Sequence, residues 1–120
     1  TETLLAAIPD AFVNGHPTQR IPGNLSVTFP GIEVDEVLRA DPGLGLAMGS
    51  ACTSGRTEPS HVLLALGLSR TLCRSTLRIG FGRATEWDDC HDCVQRLVPL
   101  LIRSRSRSRV GQEVSTGRAR

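Results

Sequence analysis

Alternation of apolar and polar side chains along the chain predicts a small β-sheet. Leu25–Phe29 alternates residue by residue, which is the period of a strand with one buried face. Leu77–Phe81 predicts a second strand, Leu44–Met48 is typical of a buried strand, and Ala11–Val13 is a shorter candidate that ends at a turn. Such short strands need helices to cover the apolar face of their sheet.

Apolar residues at steps of three and four predict the helices that cover this sheet. Helices are expected over Thr3–Ile8, Glu33–Ala40 and Pro59–Leu66, followed by a last helix with Thr85 as its N-cap. The apolar stripe of the last helix consists of Trp87, Cys90, Val94, Leu97, Val98 and Leu101. This order of elements predicts an α+β or α/β fold in which helices pack on a small sheet.

The chain changes character at Arg103, where arginine and serine begin to alternate. This segment has no apolar stripe and its like charges repel, so the sequence predicts a folded domain over 1–102 and a disordered tail over 103–120. The tail also holds the basic excess of a chain whose formal net charge is +2. The body is therefore close to neutral or acidic, which argues against a nucleic-acid-binding fold.

Length and composition exclude several further classes of protein. A chain of 120 residues with 39% hydrophobic residues suits one compact domain. Its longest apolar runs, Val62–Leu66 and Val98–Ile102, are far shorter than the roughly 20 residues that cross a bilayer. The 4 cysteines are too few for a disulfide-dense secreted scaffold, so a reducing cytoplasm is expected. All 14 basic residues are arginines, so this chain has no lysine amine.

The candidate chemistry centres on Cys52, which lies in a run of small residues from Gly49 to Gly55. Such a run predicts an exposed, mobile loop, and an accessible thiol on a mobile loop suits nucleophilic work. The same pattern also fits an incidental surface cysteine. Cys90 and Cys93 form a Cys-x-x-Cys pair that could serve zinc or redox chemistry. Because Cys90 falls on the apolar stripe and a second pair is missing, we expect no metal site.

A longer pattern is carried by Gly49–Gly55, Glu58–Leu68 and Ser75–Thr85, with Val13–Gly15 and Pro22–Phe29 upstream. In these segments the sequence resembles the C-terminal small domain of cysteine desulfurases of the NifS/IscS type, in the class V aminotransferase group. A match over roughly four-fifths of the chain is far more specific than a single motif. The resemblance implies the α+β small domain of a fold-type I pyridoxal-phosphate enzyme.

The resemblance also implies roles for particular residues. Cys52 matches the cysteine that takes sulfur from L-cysteine as a persulfide, leaving L-alanine, and passes it to an acceptor such as an iron–sulfur scaffold protein. Arg78 matches the arginine that binds the substrate carboxylate, a planar group that suits a guanidinium fork. The alternative for Arg78 is a solvent arginine at a strand edge, and Arg83 is the runner-up for its role. Gly80 and Ala84 depart from the family pattern, in which a serine and an aromatic residue are common.

Enzymes of this family bind pyridoxal phosphate through a lysine of a large domain, and this chain has no lysine. The resemblance therefore implies a large-domain partner, a sulfur acceptor protein and a homodimer in the complete enzyme. The short apolar runs and the charge distribution, in turn, argue against membrane and nucleic-acid partners. The chain alone is expected to be inactive. A second hypothesis is a non-enzymatic remnant or interaction module that keeps the fold without the cofactor chemistry.

Overall fold

The computed structural model describes residues 1–48, 51–53, 56–58 and 60–118, with side-chain surroundings for 1–46 and 60–109. The predictions that concern Gly49, Ser50, Ser54, Gly55 and Pro59 lie outside these described residues. In the part of the chain that is described, no helix is long and apolar enough to cross a membrane.

The described strands form a central sheet and a separate hairpin. The sheet consists of β1 (Phe12–Val13), β2 (Asn24–Thr28), β3 (Ala47–Met48) and β6 (Thr76–Gly80), and the hairpin of β4 (Ala51–Thr53) and β5 (Arg56–Glu58). Strands follow the order β1-β2-β6-β3 in the sheet, and all of these pairs are antiparallel. This topology confirms the α+β class.

The described part also contains five α-helices. They are α1 (Glu2–Ala7), α2 (Val34–Ala40), α3 (His61–Ala65), α4 (Arg70–Arg74) and α5 (Trp87–Arg118), with a short 3₁₀ helix at Pro42–Leu44. Ser60 and Ser69 cap α3 and α4 by accepting hydrogen bonds from backbone N–H groups in the first turn. The helix α4 has no counterpart among the predicted elements, since five residues are too few to show a period.

One face of the central sheet carries the core. Leu25 and Val27 on β2 lie opposite Ile79 and Leu77 on β6, and all four side chains are buried. They cluster with Leu4, Ile8, Phe29, Ile32, Val34, Val37, Leu97 and Leu101, which come mainly from α1, α2 and α5. Because burial of one such side chain contributes about 1.5–3 kcal/mol, this cluster fixes the register of the two strands.

The start of α5 differs from the sequence prediction. Thr85 does not cap the helix, because its hydroxyl accepts a hydrogen bond from the Gly82 N–H at 2.9 Å in the preceding turn. The carboxylate of Asp89 accepts instead from the Glu86 N–H at 2.8 Å. Trp87 is 88% exposed rather than part of a buried stripe. It lies in the first turn of the helix, outside the core cluster.

The end of α5 lies beyond the boundary that the sequence predicts at Arg103. The helix continues through Arg103 to Arg118. Ser104 lies on the buried face of the helix and is 7% exposed. Arg105 forms a bidentate ion pair with Asp10, with 2.8 Å between Nη2 and Oδ2. Small serines therefore continue the packed face, and an acidic partner offsets one of the like charges that led to the prediction of disorder.

Candidate active site

The face of the sheet opposite the core is polar. Ser26 and Thr28 of β2 share this face with Thr76 and Arg78 of β6, since side chains alternate along each strand. The strand register places Ser26 opposite Arg78 and Thr28 opposite Thr76. The arginine that the resemblance assigns to the substrate thus lies on a hydrophilic surface.

A chain of buried hydrogen bonds crosses this polar face. Thr76 Oγ1 donates its proton to the Leu72 carbonyl oxygen at 2.8 Å. In its 2.7 Å bond with Thr28 Oγ1, Thr76 is therefore the acceptor and Thr28 is the donor. Because Thr28 gives its own proton to Thr76, it accepts a hydrogen bond from Asn14 Nδ2 at 2.8 Å. The same Asn14 amide also donates to Ser26 Oγ at 3.2 Å. Since both threonine hydroxyls are satisfied in a buried setting, the polar face is held in one arrangement.

This hydrogen-bond chain is absent from the sequence prediction, which assigned Asn14 to a turn. The alternation that predicted β2 also marks Ser26 and Thr28 as members of one face. Asn14 stands directly after β1, where it is 7% exposed. A buried amide needs partners, and hydroxyls at every second position of the neighbouring strand can supply them.

Arg78 lies in the middle of β6, between Ser26 of β2 and Ala47 of β3. Because β6 is an inner strand of the sheet, Arg78 is not at a strand edge. Its side chain is exposed and has no carboxylate partner within 1–46 and 60–109, where side chains are described. Its donors are therefore available to a planar anionic group.

The backbone of Cys52 lies in the hairpin rather than in an irregular loop. Cys52 is the middle residue of β4 and pairs with Thr57 of β5. The prediction of a loop over 49–55 is thereby corrected for Ala51–Thr53, whose backbone hydrogen bonds continue through the pairing. The hairpin strands pair with each other and, among the described strands, with no strand of the central sheet.

Arg83 lies beyond the end of β6, in the turn that leads to α5. The Thr85 N–H donates to the Gly82 carbonyl oxygen at 3.1 Å across this turn. Arg83 is exposed and, like Arg78, has no ion pair within the described ranges. At Gly80, where a serine is common in the family, an added Cβ would meet nothing within 4 Å. The glycine therefore leaves open space at the end of β6.

Burial affects the thiols of the remaining cysteines. Cys73 is fully buried, and burial raises the pKa of its thiol. Burial also raises the pKa of the Cys93 thiol, with smaller contributions from Cys90 and Asp92 that Arg96 opposes. A thiol with a raised pKa is a poor nucleophile near neutral pH. Cys90 and Cys93 are half-buried free thiols, and no described group of three or more ligand-type side chains could hold a metal ion.

Pyridoxal phosphate does not fit the residues of this chain by themselves. A lysine amine holds its aldehyde in enzymes that use it, and all 14 basic residues here are arginines. Guanidinium groups stay protonated and do not replace that amine. The polar face supplies hydroxyls and one guanidinium, so the chemistry of this cofactor lies outside the chain.

Comparison with proteins of known function finds cysteine desulfurases. A cysteine desulfurase of Rattus norvegicus is 34% identical over 116 residues, which cover 97% of this chain and 26% of the relative. The cysteine desulfurase IscS of Rickettsia typhi is 32% identical over 114 residues, covering 95% of this chain and 28% of the relative. The cysteine desulfurase IscS of an Anaeromyxobacter strain is 37% identical over 105 residues, which cover 88% of this chain and 26% of the relative. The chain thus spans about a quarter of the length of these relatives.

Solved structures share the fold. A NifS-like protein from Rickettsia africae has a TM-score of 0.65 at 18% identity, over 82% of this chain and 25% of that protein. A second NifS-like protein has a TM-score of 0.62 at 19% identity, over 83% of this chain and 26% of that protein. No protein-family model matches the chain. The comparisons confirm the resemblance to NifS/IscS-type cysteine desulfurases and the α+β fold that it implies.

Proposed function

We propose that this chain, which is similar over nearly its whole length to cysteine desulfurases, is the small-domain part of such an enzyme and carries its sulfur-accepting cysteine. Cys52 takes the sulfur of L-cysteine as a persulfide, and L-alanine is the other product. The sulfur then passes to an acceptor such as an iron–sulfur scaffold protein. A large domain with a lysine supplies the pyridoxal phosphate, and the complete enzyme is a homodimer.

The pairing of β3 with β6 is the observation that carries this proposal, because it aligns Ala47 with Arg78. Cys52 follows Ala47 by five residues, so its Cα lies at most about 18 Å from the Ala47 Cα. Cross-strand partners are about 5 Å apart. The sheet therefore limits the distance between the proposed nucleophile and the proposed substrate-binding group, although they are 26 positions apart in sequence.

Arg78 binds the carboxylate of L-cysteine in this proposal. Two parallel N–H···O bonds from a guanidinium to a carboxylate are charge-assisted, and their geometry fixes the orientation of the amino acid. The exposed side chain of Arg78 and its lack of a described carboxylate partner support this role. The buried bonds among Asn14, Thr28 and Thr76 support it further, because they hold the strand from which Arg78 extends.

Cys52 attacks as a thiolate, so that an S–S bond to the substrate sulfur forms while the carbon–sulfur bond breaks. The carbon keeps the bonding pair and takes a proton, which gives L-alanine. A sulfur carrier must approach a substrate and later an acceptor. Among the described strands, β4 and β5 pair only with each other, and this supports such a role. A hairpin with no described ladder to the central sheet can change position without breaking that sheet.

The test supplies the large domain in trans. The 120-residue chain is incubated with L-cysteine, pyridoxal phosphate and the lysine-bearing large domain of a related desulfurase, and both products are followed by mass spectrometry. We expect L-alanine and one added sulfur on Cys52. Cys52→Ser should abolish both products, whereas the matched Cys90→Ser variant should retain them. Arg78→Ala should raise KM for L-cysteine by about 10-fold or more, as expected for loss of a charge-assisted bond, and more than Arg83→Ala does.

The lack of lysine favours a second function, a non-enzymatic interaction module with the same fold. The same experiment separates the two functions. An added sulfur on a cysteine other than Cys52, or unchanged L-alanine release by Cys52→Ser, would contradict the persulfide role. A chain that binds the large domain but acquires no sulfur would instead indicate the interaction module.

A further inference from the structure

A small cavity lies between α2 and α5, away from the polar face of the sheet. Its volume is about 100 Å³. It is lined by Glu36, Val37 and Ala40 of α2 and by Leu100, Arg103, Ser104 and Arg107 of α5. This volume corresponds to roughly three water molecules, which is the size range of a tetrahedral oxyanion.

Ser104 lines this cavity, and its hydroxyl is unsatisfied. The residue is 7% exposed, and its Oγ is a buried side-chain atom that lacks a hydrogen-bond partner among the described residues. Ser106 and Ser108 on the same helix donate to the carbonyl oxygens four residues earlier, at 3.0 and 3.2 Å. An unpaired buried hydroxyl destabilises the folded chain, so a ligand oxygen that accepts its hydrogen bond would be stabilised there.

The charged side chains around the cavity are not paired with one another. Arg103 and Arg107 lie one turn apart on α5, and Glu36 lies across from them on α2. Neither arginine has a nitrogen within 4.0 Å of a carboxylate oxygen in the described part, including that of Glu36. Arg96 and Arg105 on the same helix, by contrast, each bind an aspartate. Two guanidinium groups therefore face a shared open space with one carboxylate at its edge.

We propose that this cavity binds a hydrogen phosphate ion. The guanidinium groups of Arg103 and Arg107 donate to its oxygens, and Ser104 Oγ donates a further bond. Glu36 accepts a hydrogen bond from the proton that the ion retains. Sulfate has the same shape but no proton near neutral pH, so it meets the Glu36 carboxylate with only repulsion. This site involves neither Cys52 nor Arg78 and stands apart from the proposed desulfurase function.

Calorimetric titration of the full 120-residue chain tests the site, with sodium phosphate and sodium sulfate compared at matched ionic strength near neutral pH. We expect saturable phosphate binding and sulfate binding at least ~10-fold weaker, because sulfate leaves the carboxylate without a donor. Arg107→Gln should weaken phosphate binding ~10-fold or more. Arg109→Gln removes the same charge from an exposed residue that lines a different cavity, and should have little effect.

Glu36→Gln is the decisive variant, because the glutamine amide can donate a hydrogen bond to either phosphate or sulfate. The affinities of this variant for the two anions should therefore become similar. Ser104→Ala should weaken phosphate binding several-fold while keeping the helix intact, and circular dichroism melts verify the fold of every variant. If Arg107→Gln does not fold, Arg103→Gln takes its place. The proposal is wrong if phosphate does not saturate, if Arg107→Gln and Arg109→Gln have equal effects, or if Glu36→Gln leaves the preference for phosphate unchanged.

Discussion

Asn14 and Thr28 are joined by a 2.8 Å hydrogen bond, which is buried although Thr28 is the last residue of β2 and Asn14 lies just beyond β1. Asn14 follows β1, a strand of only two residues, and its backbone N–H also donates to the Ser26 carbonyl oxygen at 2.9 Å. The position of β1 therefore depends on a side-chain contact as well as on backbone pairing. Through Thr28 and Thr76, the same contact reaches the strand that carries Arg78.

Asn14→Ala should lower the free energy of unfolding by about 1–3 kcal/mol, because two hydroxyls lose a buried donor. Urea unfolding followed by circular dichroism measures this change. Asn24→Ala, at an exposed position that begins β2, is the matched control and should change stability by less than about 0.5 kcal/mol. Equal losses of unfolding free energy in the two variants would show that the buried Asn14 amide contributes no more to stability than the exposed Asn24 amide does.

Cys73 should react with iodoacetamide at least ~10-fold more slowly than Cys90 in the folded chain. Cys73 is fully buried with a raised pKa, whereas Cys90 is half-buried. Peptide mass spectrometry at successive times gives both rates from one sample. In concentrated urea the two rates should converge, because the difference comes from folding. Comparable rates in the folded chain would contradict the burial of Cys73.

Arg96 holds the pKa of the Asp41 carboxyl below its usual range, chiefly through a hydrogen bond from its side chain. Because the folded-state pKa is lowered, the stabilisation is present above the unfolded value of about 3.9 and is lost as the pH falls through the folded value. Asp41→Asn should therefore lower the melting temperature near neutral pH. The difference from the parent chain should shrink in acid, where the parent's carboxyl is protonated.

Asp92→Asn is the control for this prediction, because Asp92 contacts the same arginine through one longer bond of 3.3 Å. Its side chain is also more exposed than that of Asp41, at 65% against 26%. We expect a smaller change in melting temperature. A pH-independent difference between Asp41→Asn and the parent chain would show that the ion pair is not its cause.

A chain that ends at Ile102 should be less stable than one that ends at Arg109. The longer chain keeps the buried Ser104 and the ion pair of Arg105 with Asp10, which is worth about 1 kcal/mol at a surface. Thermal melts of the two truncations measure the difference. Asp10→Asn in the longer chain should reproduce part of the loss. Identical melting curves would mean that this segment does not pack and would favour the tail expected from the sequence.

The central strands could be predicted from the sequence because burial leaves a period of two in β2 and β6. The short helix α4 and the hairpin of β4 and β5 could not. Five residues show no helical period, and a run of small residues such as Gly49–Gly55 has no apolar pattern at all. The Arg–Ser alternation predicts disorder because its like charges repel, and the sequence does not reveal that Arg105 has a partner 95 positions away.

The candidate site residues follow from a different kind of argument than the strands do. Local chemistry singled out Cys52, but its connection with Arg78 came from the family resemblance. The alignment of Ala47 with Arg78 is a tertiary property that no local pattern contains. Asn14 was missed for the same reason, since its hydroxyl partners lie 12 and 14 positions away.

The register between β2 and β6 determines two things together: which side chains enter the apolar core and to which face of the sheet Arg78 points. A slip of one residue would turn Arg78 toward the face that now holds Leu77 and Ile79. Removing that charge from water without a partner costs several kcal/mol, so the slipped pairing is strongly disfavoured. A substitution at Leu25 or Val27 that weakens this register would therefore change both the stability of the chain and the direction of Arg78 on the opposite face.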